Sequence, residues 1–101
     1  MTRHAIDATA EEIAKEKAEA LGLAGKALEA ALRALREYDA GREPVRDDPR
    51  RAALLSRAAE RTLSFIVQRE AHGFRDPAYV LDFFAVPAEV AARIGIHAVT
   101  P

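Results

Sequence analysis

AIDATAEEIAKEKAEALGLAGKALEAALRALREYDA, residues 5–40, holds twelve alanines in thirty-six positions and no proline. Alanine is the strongest helix former, and the larger apolar residues here recur in steps of four and three. Ala14, Ala18, Leu21, Gly25, Leu28, Leu32 and Leu35 form a heptad-like seam, widened on one flank by Ala24 and Ala31. The spacing predicts one long helix over residues 9–38. Thr9 followed by Glu12 fits a capping box at its start, with Asp7 as a competing cap. Gly22 and Gly25 each cost up to about 1 kcal/mol inside a helix, unless a close backbone approach makes them useful.

Outward from this helix, residues 39–48 (DAGREPVRDD) form the one linker, with Gly41, Pro44 and four acids, and read as a mobile loop. Asp48 before Pro49 is a strong helix start. The second helix extends to residue 72 with Ala52, Leu55, Ala59, Leu63, Ile66 and Val67 as its apolar face, and Ala58, Thr62 and Phe65 alongside. Gly73 then supplies a left-handed C-cap, with Phe74 as its hydrophobic contact. Asp76–Pro77 repeats the cap-plus-proline signal and opens a short helix over 77–84. Pro87 opens another over 87–94, and residues 95–101 read as a loosely held tail.

The fold class is therefore all-α: a single domain of residues 1–101, built as a long antiparallel helical hairpin plus two short C-terminal helices. A helix over 9–38 is about 45 Å long, whereas a compact chain of this length is roughly 35 Å across. The first helix either overhangs the globule or bends at its glycines. Alanine gives it too little side-chain volume to make a core alone. Pairing with a second copy into a dimeric four-helix bundle covers both apolar faces. The seam residues from Ala14 to Leu35 are thus the expected self-association surface of a homodimer.

Composition narrows the function classes. Net charge is −1, with 31% charged residues of both signs, so no basic field draws the chain to nucleic acid or membrane. There is no cysteine, which removes disulfide and thiolate chemistry. Met1–Asp7 lacks the apolar core of a signal peptide, and no apolar run reaches the roughly twenty residues of a membrane span. A soluble cytoplasmic protein is the expectation.

Three constellations carry candidate chemistry. Residues 77–94 have the outline of a helix-turn-helix, with Val80, Leu81, Phe84, Val86, Ala91 and Ile94 near its apolar positions. Its second helix offers only Glu89 and Arg93, poor equipment for reading bases, and Ala85 stands where glycine is common. The competing reading is a cap closing the hairpin core through Tyr79, Phe83 and Phe84. Arg50, Arg57, Arg61 and Gln68 lie along one side of the second helix, opposite much of the apolar stripe. They suit phosphates or an acidic partner, but a solvated face with Arg57 and Arg61 paired to acids is the plainer account. Gln68, Arg69, His72, Arg75 and Asp76 make a polar corner at the helix end, where Arg69, Arg75 and Asp76 are expected to fix the turn.

Enzyme signatures are otherwise missing. Glu70 and His72 are two apart, not at a metal-ligand spacing, and His4 and His97 lie at opposite ends. Ser56 and Ser64 have no histidine within helical reach, and Glu11, Glu12, Glu16 and Glu19 read as salt links to Lys15 and Lys17. No catalytic residue, metal or cofactor is expected.

IVQREAHGFRD (66–76) and VPAEVAARIG (86–95), following the alanine-rich helix, resemble a group of short all-helical bacterial proteins of unknown function. The resemblance covers residues 13–95 and implies no activity, ligand or catalytic residue. The leading expectation is a non-enzymatic interaction or scaffold protein acting as a homodimer, with itself and another protein as partners. A DNA-binding regulator using 77–94 is the alternative, and a ligand-binding bundle or enzyme accessory subunit is a third.

Overall fold

The computed structural model describes residues 2–96, and their side chains from Thr9 onward. Helix α1 spans Thr2–Asp39, α2 Pro49–Ala71, α3 Pro77–Phe83 and α4 Ala88–Arg93. The fold is all-α, with no strand among the described residues. The long helix begins at Thr2 rather than at Thr9. Residues 2–8 contain neither proline nor glycine, so nothing stops the helical hydrogen bonds from running through them. Thr9–Glu12 and Asp7 therefore mark no helix end.

At 1.5 Å per residue, the 38 residues of α1 make about 57 Å and the 23 of α2 about 35 Å, so α1 outruns α2 by about 22 Å. The molecule measures 65 × 31 × 18 Å, and its radius of gyration is 17.4 Å. A compact chain of this length would have about 13 Å. Of the two expected geometries, overhang or bend, the structure takes the overhang.

The core lies at the C-terminal end of α1. Leu28, Ala31, Leu32 and Leu35 pack against Leu55, Ala58, Ala59, Phe65 and Ile66, and Val80 and Val90 close the end. The face of α2 is rotated from the expected one. Leu63 (45% exposed), Val67 (53%) and Ala52 face outward, while Thr62 is wholly buried. Its hydroxyl donates to the Ala58 carbonyl at 2.7 Å, so burial leaves no unmet polar group there. Gly25 is the glycine with a packing use. A Cβ there would stand 3.3 Å from Cε1 of Phe65, whereas nothing lies within 4 Å of one at Gly22.

Helices α2, α3 and α4 end alike. The N–H of Phe74, Val86 and Ile96 bonds the carbonyl of Arg69, Leu81 and Ala91, with the left-handed residues Gly73, Ala85 and Gly95 just before them. This is the Schellman arrangement, which satisfies carbonyls left open at a helix end. Ile96 also packs against the core, so the loose tail expected from residue 95 is not loose there. His97–Pro101 lie outside the described residues, as does the His4 side chain.

Candidate functional site

The predicted seam is divided in two. Leu28, Leu32 and Leu35 are buried within the chain itself, against α2. Leu21 and Gly25 are half-buried, and Ala14 and Ala18 are exposed, beyond the reach of α2. Ile13 (47% exposed) and Leu23 (68%) add larger apolar surface to this overhanging half. No ion pair forms here among the described residues, so the expected links between Glu11, Glu12, Glu16 or Glu19 and Lys15 or Lys17 are not made. Long solvated side chains gain little from pairing, because the weak attraction in water is offset by the entropy of holding both in one geometry.

Beside the core, α1 and α2 leave a groove of about 500 Å³ floored by Ala27, Ala30, Ala34 and Ala53. Alanine's lack of bulk opens it. Arg50, Arg57 and Arg61 stand along its rim, all exposed. They flank the apolar contact between the helices rather than opposing it. None forms an ion pair among the described residues, so the pairing to acids expected of Arg57 and Arg61 does not occur. Gln68 is half-buried further along the helix and does not line the groove.

At the loop end, Arg51 joins three parts of the chain. Its Nε and Nη2 donate to the two oxygens of Asp39 at 2.8 and 2.9 Å, and Nη1 and Nη2 donate to Glu89 at 2.8 and 2.9 Å. The hydrogen bonds from Arg51 hold the Asp39 and Glu89 carboxyls below the usual carboxylate range, against the burial that pushes them up. The two acids hold the guanidinium above its ordinary value, Glu89 first and Asp39 second. Next to it, the Tyr38 hydroxyl donates to Asp48 at 2.7 Å, and Asp48 accepts the N–H of Arg50 and Arg51 as N-cap of α2. The bond from Tyr38 lowers Asp48, and the same bond raises the phenol. The 39–48 loop, read as mobile, is thus stapled at both ends. Sequence spacing gave no sign of this corner, because Asp39 and Glu89 lie 12 and 38 positions from Arg51.

The polar corner assembles in part. Arg69 donates to both oxygens of Asp76 at 3.0–3.1 Å and stands over the rings of Phe74 and Tyr79 at 4.7 and 5.0 Å. Asp76 consequently makes no side-chain cap on α3. The contact expected of Phe74 is made, but to a guanidinium rather than to an apolar side chain. Arg75 is exposed and stays out of the network. His72 Nδ1–H donates to the Gln68 carbonyl at 2.9 Å, while Nε2 is buried with no partner among the described residues. No group of three metal-binding side chains occurs among the described residues.

Of the helix-turn-helix outline, Val80 and Ala91 are buried, and Leu81, Phe84, Val86 and Ile94 are half-buried. Tyr79 and Phe83 stack on each other at 5.7 Å but stay exposed, so Phe84, edge-on to Phe65, carries the capping contact. The charged side chains of α4 turn toward α2: Glu89 to Arg51, and Arg93 to the Ser56 hydroxyl at 3.0 Å. Among the described residues no helix is long and apolar enough to cross a membrane.

These features define an all-helical hairpin protein with a two-helix cap and an overhanging helical arm. The chain belongs to a family of unknown function (DUF6665), whose model matches residues 2–101. That span is longer than the stretch 13–95 that carries the resemblance. No curated protein and no solved structure matches the chain.

Proposed function

We propose that this protein is a non-enzymatic helical interaction protein that acts as a homodimer in the cytoplasm. The observation that supports the reading is the overhanging half of α1. A helical arm with Ile13 and Leu23 exposed buries too little surface to hold its shape alone. Isolated helices of this length are marginal in water and gain their stability from packing. Leu28, Leu32 and Leu35 already have partners in their own chain, so the self-association surface contracts to the arm, where Ala14, Ala18 and Leu21 continue the seam and Ile13 and Leu23 expose apolar surface on other faces of the same helix. The absence of cysteine fits a reducing compartment. Both charged side chains of α4 are engaged with α2, which weighs against a DNA-reading role. Sedimentation velocity tests the reading. A dimer is expected in the micromolar range, and a chain still monomeric at about 100 µM sinks the claim.

A further inference from the structure

The rim arginines of the groove and the acids of the arm are two unpaired charge sets on one chain. Arg50, Arg57 and Arg61 form no ion pair among the described residues, and neither do Glu12, Glu16 and Glu19. Both sets are exposed. Along α1, Glu16, Ala20, Leu23, Ala27, Ala30 and Ala34 follow in steps of four and three, so they share one flank, with Glu12 a turn earlier. The last three of these floor the groove, and the first ones belong to the arm. Leu23, 68% exposed, stands between the two halves.

We infer that the arm of one copy lies in the alanine-floored groove of a second copy, reciprocally, with the two α1 helices antiparallel and crossing at Leu23. The inference rests on the homodimer reading and sets its contact on this flank, across the helix from Ala14, Ala18 and Leu21. A two-fold axis at Leu23 sets Glu19 opposite Ala27, Glu16 opposite Ala30 and Glu12 opposite Ala34 of the second copy. Long acidic side chains thereby meet the small residues of the floor, where there is room for them, and backbones approach closely. Within each chain α2 runs antiparallel to α1, so Arg61 and Arg57 border the same stretch of groove. The arm's acids pass these two arginines in order, Glu19 and Glu16 nearest Arg61, Glu16 and Glu12 nearest Arg57. The interface is isologous: each copy gives one arm and receives one, and the contact closes at two. Charge fixes the register, and burial of Leu23, Ala20 and the floor alanines supplies the apolar contact.

The chain has no cysteine, so Leu23→Cys introduces a single thiol at the proposed axis. Mild oxidation is expected to convert this variant to a covalent dimer. Val67→Cys, exposed on α2 outside the groove, is expected to stay uncross-linked under the same conditions. Arg57→Glu with Arg61→Glu is expected to raise the dimer Kd by at least about tenfold. Adding Glu12→Arg and Glu16→Arg to the same chain restores complementarity and should return the Kd toward the starting value. All four positions are exposed, and circular dichroism checks that each variant remains folded. A dimer whose Kd ignores the arginine reversals, and whose Leu23→Cys variant does not cross-link, overturns this docking while leaving the homodimer reading in place. A chain monomeric throughout removes both.

Discussion

Arg51 is the residue on which the loop end of the molecule turns. Its planar fork meets two carboxylates at once, which a lysine cannot do. Asp39 and Glu89, lowered by Arg51 in the fold, stabilise it fully above their unfolded values, and that contribution is lost as pH falls through the lowered native values. Thermal melts should therefore show Tm dropping as pH falls below about 5, with a shallower drop in Arg51→Ala. The side chains are partly solvated, so the effect is modest and shrinks with salt. Arg51→Lys should behave closer to Arg51→Ala than to the parent. Ala85 offers a second test. It occupies at φ 52° the left-handed position that glycine fills at Gly73 and Gly95. That backbone costs an L-residue about 1–2 kcal/mol, while glycine's extra freedom in the unfolded chain takes back about 0.4–1. Urea unfolding of Ala85→Gly should show a gain of about 0.5–1 kcal/mol, and Gly73→Ala a loss of similar size.

At the scale of elements, α1 is one helix with two stabilities. The stretch from Leu28 to Asp39 lies against α2, and residues 9–20 are exposed along their whole length. Hydrogen exchange should find the first part protected and the arm fast in dilute solution, slowing as concentration rises and the arm finds a partner. An arm equally protected at all concentrations would contradict this. The helices after the loop were legible because proline and glycine punctuate them: Pro49 and Pro77 open two, while Gly73 and Gly95 close two. The start of α1 was not legible, since a threonine three residues before a glutamate caps a helix only where the chain has a reason to stop. The face of α2 was ambiguous because two apolar stripes overlap there. Leu55, Ala59 and Ile66 are buried as expected, but Ala58 and Phe65 go inside in place of Leu63 and Val67, with Thr62 tolerable there through its bond to Ala58. Of the candidate site, the seam and the arginine row could each be read from spacing. Their meeting at a groove, and the Arg51 fork, depend on how helices distant in sequence come together.

For the molecule as a whole, the hairpin also sets an order in time. Across the hairpin, Tyr38 and Asp48 meet over a gap of 10 positions, whereas Gly25 and Phe65 come from much farther apart in the sequence. Contacts close in sequence cost less chain entropy to form, so pairing begins beside the loop and travels away from it. Doubling the loop by inserting flexible residues after Gly41 should cost only about 0.6 kcal/mol. In stopped-flow experiments the change should appear as slower folding at an unchanged unfolding rate. Pairing that travels from Tyr38 toward the N-terminus exhausts α2 before it exhausts α1. The segment that finishes last in one copy is then the one left over to begin the encounter with another.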